Sequence, residues 1–106
     1  MLDVTDATFA AEVLDSDLPV LVEFTAPWCR PCKAIEPLLE EIGRVHDGSL
    51  RLARLDIDVN VGVPARFGVL SLPTVMVFVA GEPVEVVHGA QPRRRYADAV
   101  ARVLAA

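Results

Sequence analysis

The sequence predicts an α/β domain whose central mixed β-sheet is flanked by helices on both faces. Apolar strand segments alternate with helical segments between residues 20 and 68, and two strands joined by a glycine-containing turn follow at 74–89. Strands that are apolar along their whole length usually pair in parallel between layers of helices, whereas a hairpin adds antiparallel pairing. At 106 residues, the chain has the length of a single domain spanning 1–106.

The elements before the first cysteine are short. Leu2–Val4 is a candidate strand, and "TDATFAAEVL" predicts a helix with Thr5 as its N-cap. The side chains of this helix predicted to face inward are Phe9, Val13 and Leu14. After Pro19, the segment "VLVEFTA" predicts a buried strand that is apolar except for Glu23 and Thr25.

A long amphipathic helix is predicted to begin at Arg30 and to end near His46, where "HDGS" interrupts the pattern. Its apolar residues recur at positions i, i+3, i+4 and i+7, and charged side chains occupy the opposite face. This apolar set is Ile35, Leu38, Leu39, Ile42 and Val45. Pro37 lies inside the helix, where it removes one backbone hydrogen bond and is expected to bend the axis.

The second half of the sequence continues the alternation. "LRLARLDI" predicts a second buried strand, and "VNVGVPARFG" predicts a short, irregular helix that ends at Gly68. "TVMVFVAGEPVEVVHG" predicts a hairpin, and Pro92 then lies in the first turn of a last helix. The apolar stripe of that helix is Tyr96, Val100, Val103 and Leu104.

Composition and charge exclude several classes of protein. The net charge of −5 disfavours a nucleic-acid partner, because phosphates require a basic surface. The chain starts with an acid at its third residue, where a secretory signal has a positive region, and no apolar run is long enough to cross a membrane. We therefore expect a cytoplasmic protein without membrane attachment, with export of a mature form as the alternative.

Cys29 and Cys32 are the only cysteines, and their Cys-x-x-Cys spacing allows a structural disulfide, part of a metal site or a redox pair. A structural disulfide is unusual in a reducing cytosol. Structural zinc needs four ligands, and the two histidines, His46 and His88, are not spaced as zinc ligands. We expect no metal site, so the pair is interpreted as catalytic.

The predicted position of Cys29 explains how such a pair works. It falls between a strand and the following helix, where free backbone N–H groups and the helix dipole favour a thiolate, which is the nucleophile in disulfide exchange. Cys32 lies in the first turn on the same side, so it can attack a mixed disulfide formed at Cys29. Cys29 is therefore the candidate nucleophile and Cys32 the candidate resolving thiol.

Glu23 is the second candidate catalytic residue. A carboxylate within an apolar strand is unfavourable unless it has a partner or a role. One interpretation is a buried acid of raised pKa that exchanges a proton with Cys32 from beneath the cysteine-bearing helix. The other is an edge position at which Glu23 points to water.

Taken together, these segments resemble the thioredoxin family. The resemblance is carried by "PVLVEFTAPWCRPCKAIEPLLEEI", "LARLDIDVN" and "FGVLSLPTVMVFVAGEPVEVVHGA", which cover most of the chain. It implies the thioredoxin fold and reduction of protein disulfides, with no bound cofactor and with electrons supplied by NADPH through a separate thioredoxin reductase. A thioredoxin-fold adaptor or holdase and an exported oxidant or isomerase are the alternatives, and we expect a monomer.

The resemblance also implies roles for individual residues. Trp28 matches the family's indole beside the cysteines, and Pro31 the proline that sets the redox potential. Glu23 matches the buried acid, usually Asp, and Arg54 the basic residue near it, usually Lys. The residues that match the substrate-binding surface are Trp28, Leu72, Pro73, whose preceding peptide is cis in the family, and Gly89.

The sequence departs from the family pattern at three positions. Thr25 stands where many members have a second tryptophan, and Glu23 is one methylene longer than the usual Asp. Arg30 replaces the usual glycine between the cysteines, and its cation is expected to favour the Cys29 thiolate. A stabilised thiolate favours the dithiol form, which makes the pair slightly more oxidising.

Overall fold

The computed structural model describes residues 1–106 and contains one five-stranded mixed sheet. The strands are β1 (Leu2–Val4), β2 (Val20–Thr25), β3 (Arg51–Asp56), β4 (Thr74–Val79) and β5 (Glu82–His88). Their order in the sheet is β1-β3-β2-β4-β5. β3 is parallel to both β1 and β2, whereas β4 is antiparallel to β2 and β5. The predicted α/β class with a mixed sheet is confirmed.

Four helical segments accompany the sheet. They are a short π-helix (Ala10–Leu14), α1 (Arg30–Val45), α2 (Gly62–Arg66) and α3 (Arg93–Ala105). Thr5, the predicted N-cap, accepts a hydrogen bond at its Oγ1 from the Thr8 N–H, at 3.2 Å. The regular helix nevertheless begins later than predicted and is wider than an α-helix, because the Asp15 N–H donates to the Ala10 carbonyl five residues earlier.

The helices cover both faces of the sheet, as predicted, and β2 shows how the core divides. Val20, Val22 and Phe24 belong to the cluster formed with the π-helix and α2. Leu21 belongs to the cluster formed with α1 and α3. Since side chains alternate along a strand, Glu23 faces the layer that contains the cysteine-bearing helix.

The N-terminal segment caps α2 from a distance. The two carboxylate oxygens of Asp6 accept hydrogen bonds from the N–H groups of Gly62 and Val63, each at 2.9 Å. In turn, the Asp6 N–H donates to the side-chain oxygen of Asn60 at 2.8 Å. This capping fixes the loop after β3, part of which lies beside the cysteines.

The two outer strands are irregular or short. β1 has three residues, whereas β5 contains Pro83 and pairs with β4 through a register shift. The β4–β5 turn consists of Ala80 and Gly81, both with positive φ, at 51° and 83°. This is the backbone of a two-residue type I′ hairpin. No helix combines the length and apolar character needed to cross a bilayer.

Candidate active site

The two cysteines lie where the predicted strand–helix junction places them. Cys29 is the N-cap of α1, and its Sγ accepts a hydrogen bond from the Cys32 N–H at 3.3 Å. Both cysteines are buried, and they are joined as a disulfide. The first turn of the helix thus donates an N–H to the sulfur of Cys29, an arrangement that favours negative charge on that atom.

The residues between the cysteines form the first turn of α1. Arg30 begins the helix with an exposed side chain that forms no ion pair. Pro31 follows, at a position where its missing N–H leaves no helical hydrogen bond unmade. Arg30 therefore places an unpaired cation next to Cys29, on the solvent side of the helix start.

Trp28 is exposed, with 66% of its surface accessible, yet its indole is oriented. The Nε1–H donates to the two carboxylate oxygens of Asp58 at 3.2 and 3.0 Å. Asp58 is in the loop after β3 and is held there by its own N–H, which donates to Asp56 at 2.8 Å. The sequence predicted Trp28 as a site residue but gave no signal for Asp58.

A groove opens beside Cys29. Its volume is about 520 Å³, and most of its lining is apolar. Trp28 and Pro31 line it on the helix side, and Leu72 lines it on the loop side. Leu72 also packs against the buried cysteines, so a molecule bound in this groove would lie next to the disulfide.

The backbone before β4 completes this surface. The Leu72–Pro73 peptide is cis, as the resemblance implied, and Pro73 is buried. The Gly89 N–H donates to the Pro73 carbonyl at 2.8 Å, and Gly89 has a φ of 74°, a conformation that favours glycine. The predicted residues Leu72, Pro73 and Gly89 therefore lie together.

Glu23 is fully buried in the central strand, so the interpretation of an edge position facing water is wrong. Neither carboxyl oxygen has a hydrogen-bond partner in the protein. Burial raises the pKa of Glu23 to about 9, and the negative charge of Glu36 adds to this effect while Arg54 opposes it. A carboxyl group of this kind holds its proton at neutral pH.

Arg54 is the register neighbour of Glu23 on β3, but it does not form a hydrogen bond with it. Its Nε donates to Asp3 at 2.6 Å, and one terminal nitrogen donates to Glu36 at 3.0 Å. Sequence reasoning placed Arg54 near the acid correctly but missed both of its partners. No group of three or more His, Cys, Asp or Glu side chains is arranged to hold a metal ion.

Comparison with known proteins agrees with this geometry. The thioredoxin family model matches residues 1–102. The chain is 46% identical over 90 residues to thioredoxin 1 of Nostoc sp., covering 85% of this chain and 84% of the relative. It is 41% identical over 101 residues to thioredoxin of Synechocystis sp., covering 95% and 94%. The chain belongs to the thioredoxin family.

A longer relative is also similar. The bifunctional thioredoxin reductase/thioredoxin of Mycobacterium leprae is 47% identical over 90 residues, which make up 85% of this chain and 20% of that protein. Members of the thioredoxin family are protein disulfide oxidoreductases, and Cys29 and Cys32 form the required pair here. The predicted function, reduction of protein disulfides by dithiol–disulfide exchange, is confirmed.

Proposed function

We propose that Cys29 is the attacking and Cys32 the resolving thiol of this thioredoxin-family reductase. The Cys29 thiolate attacks one sulfur of a client disulfide, forms a mixed disulfide and releases the other client sulfur as a thiolate. Cys32 then loses its proton and attacks the Cys29 Sγ. This attack releases the second client sulfur and forms the Cys29–Cys32 disulfide, so the client gains two electrons and the protein loses two.

The position of Cys29 at the helix N-terminus carries this assignment. Its sulfur accepts the Cys32 N–H, and the dipole of α1 favours its ionised form. Cys32 has no exposed surface, so it is the sulfur that a bulky client protein does not reach first. Arg30 adds a positive charge beside the nucleophile, and Pro31 fixes the backbone between the two sulfurs.

Glu23 is assigned the proton exchange with Cys32. Its face of β2 lies under α1, and its carboxyl oxygens accept no hydrogen bond from the protein. The raised pKa of Glu23, about 9, is close to the pKa of a thiol, so a proton can pass between the Glu23 carboxyl group and the Cys32 sulfur. Arg54 is assigned a tuning role, because its positive charge opposes the rise in the pKa of Glu23.

The client segment is expected to bind along the groove beside Cys29. Trp28 and Leu72 supply apolar contacts, and the cis Leu72–Pro73 backbone supplies an edge for an extended segment. Gly89, next to Pro73, leaves room for the approach of the client backbone. Apolar contact with backbone pairing suits many client sequences, as a general disulfide reductase requires.

Recycling of the Cys29–Cys32 disulfide is assigned to a separate thioredoxin reductase that takes its electrons from NADPH. The fused reductase and thioredoxin of Mycobacterium leprae supports this partner. We place the protein in the cytoplasm, where reducing conditions keep a Cys-x-x-Cys pair available as a dithiol, and we expect it to act as a monomer formed by the single domain 1–106.

A coupled insulin-reduction assay tests these assignments. With NADPH and a thioredoxin reductase, the protein is expected to consume NADPH and precipitate the insulin B chain. Cys29→Ser should abolish this activity, whereas Cys32→Ser should accumulate a mixed disulfide that mass spectrometry detects. A Cys29→Ser variant that still forms the mixed disulfide would reverse the two assignments. Client binding without insulin reduction would favour the adaptor.

A further inference from the structure

A chain of ion pairs lies beside the buried carboxyl group of Glu23. Arg54 bonds Asp3 of β1 through Nε and Glu36 of α1 through a terminal nitrogen, at 2.6 and 3.0 Å. We refer to Asp3, Arg54 and Glu36 as the ion-pair triad. Because both partners of Arg54 come from other elements, its guanidinium is held between them while its register neighbour Glu23 has no hydrogen bond.

Glu36 is the member of the triad that links Glu23 to the cysteines. It lies one helical turn after Cys32 on α1, and 18% of its side-chain surface is exposed. The negative charge of Glu36 raises the pKa of Glu23, whereas the positive charge of Arg54 lowers it. Glu23 thus has a carboxylate and a guanidinium beside it, and the ion pair between them fixes both positions.

A polar cavity of about 220 Å³ adjoins the triad, which is room for several water molecules. Thr25, which shares the face of β2 that carries Glu23, lines this cavity. The charged side chains in its lining are Asp3, Lys33, Glu36, Arg54 and Asp56. Glu36 therefore touches the cavity and also acts electrostatically on the buried Glu23.

The other groups that act on Glu23 keep one charge state through the pH range of interest. Arg54 on β3 stays cationic, since its carboxylate partners raise its pKa. Tyr96 on α3 stays neutral, because burial raises its pKa and its hydroxyl donates to the Gly89 carbonyl. The cysteines do not titrate as a disulfide. Glu36 is therefore the anionic side chain whose removal changes the charge beside Glu23.

We propose that Glu36 is a positioning residue for the proton transfer. Held by Arg54, Glu36 sets the pH at which Glu23 exchanges a proton with Cys32. This inference rests on the role proposed for Glu23. In the mixed disulfide, Glu23 first releases its proton to solvent through the adjoining cavity, and its carboxylate then takes the proton of the Cys32 thiol. The resulting thiolate attacks the Cys29 Sγ and releases the client sulfur as a thiolate.

The first test is a titration that does not depend on activity. Carbon-13 NMR of the glutamate carboxyl groups is recorded in the disulfide form, with the Glu23 signal assigned from its absence in Glu23→Gln. In Glu36→Gln, the midpoint of Glu23 should fall by about one pH unit, because a charge close to a carboxyl group changes its pKa by about that much or more. Glu40→Gln, on the exposed side of α1, is the matched control and should leave it unchanged.

The second test follows resolution of a preformed mixed disulfide at Cys29 as a function of pH. Glu36→Gln should move the rising limb of the rate to lower pH by the same amount as the NMR midpoint. If Glu23→Gln keeps the profile of the unaltered protein, the role of Glu23 is overturned together with this inference. If Glu23→Gln flattens the profile and Glu36→Gln leaves both midpoints unshifted, only the part assigned to Glu36 is overturned.

Discussion

The indole N–H of Trp28 donates to both carboxylate oxygens of Asp58, so an exposed aromatic ring is held in one orientation beside Cys29. Asp58→Ala should release the ring and lower kcat/KM for insulin reduction by about three- to tenfold, since a net hydrogen bond contributes about 0.5–1.5 kcal/mol. Trp28 is the only tryptophan, so its emission reports the same change directly. Asp58→Asn keeps one acceptor and should show a smaller effect; identical emission in all three proteins would contradict this.

Glu23 makes the stability of the fold depend on pH. Its pKa rises from 4.5 to about 9 on folding, so the folded chain binds the extra proton between these values. The stabilising effect of this proton is complete below about pH 4.5 and is lost as the pH rises towards about 9. We expect the free energy of unfolding of the disulfide form to fall by about 3 kcal/mol between pH 4.5 and pH 7.

Glu23→Gln removes the titrating group and should remove this fall. Guanidinium unfolding at pH 5, 7 and 8 gives the slope for each protein. Glu82→Gln, at an exposed position of β5, is the control and should keep the slope of the unaltered protein. If the free energy of unfolding changes with pH equally in the unaltered protein and in Glu23→Gln, the pKa of Glu23 is the same in the folded and the unfolded chain.

Arg30 should tune the redox potential of the cysteine pair. Its exposed cation at the start of α1 is expected to stabilise the Cys29 thiolate, by about 0.3–1 kcal/mol. Arg30→Gly should therefore make the pair more reducing by about 6–20 mV, at about 30 mV per 1.4 kcal/mol. Equilibration with one glutathione buffer measures this. Arg30→Gln separates loss of charge from the backbone effect of glycine and should give the same direction; an unchanged or more oxidising Gly variant would refute the effect.

The role of Gly89 in the substrate-binding surface can be tested against Gly48, which has a similar backbone conformation but lies in the turn after α1. Both have positive φ, 74° and 84°, and neither would bring a new Cβ within close contact of another residue. Either substitution by alanine should lower the free energy of unfolding by about 1 kcal/mol. Only Gly89→Ala should also reduce kcat/KM, because Gly89 is hydrogen-bonded to Pro73 at the groove. Equal activity of the two variants would argue against a role for Gly89 in client binding.

Ala80 is the one non-glycine residue with positive φ, and it occupies the first position of the β4–β5 turn. Ala80→Gly should raise the free energy of unfolding by about 0.5–1 kcal/mol, since an L side chain is unfavourable in that conformation. Ala101→Gly, at an exposed position of α3, should lower it by about 1 kcal/mol. Urea midpoints of the two variants should therefore move in opposite directions.

Local patterns were sufficient to predict most elements and the position of the cysteines. The apolar period of α1 and the strand before it placed Cys29 at a helix start, and the structure has it as the N-cap. The apolar residues around Glu23 predicted a buried strand but left Glu23 itself open between burial and an edge position. The place of β2 between β3 and β4 decides that it is buried. The helix start and the buried strand depend on periods of a few residues, which a single sequence contains.

The contacts that the sequence did not predict join residues far apart in the chain. Asp6 caps α2 more than fifty residues later, and Asp3 bonds Arg54 across a similar separation. Glu36 fits the polar face of α1 equally well as a solvated side chain, so its pairing with Arg54 depends on how α1 packs over β3. Each of these contacts requires the strand order, which no local period encodes.

The irregular outer strands have a consequence for a protein that handles extended polypeptides. An exposed sheet edge can recruit a foreign strand and start aggregation. Here β1 offers only three residues for such pairing, and Pro83 in β5 removes an N–H that a pairing strand would need. Neither edge therefore offers a long, regular strand to a foreign chain, which lowers the risk that the sheet itself aggregates.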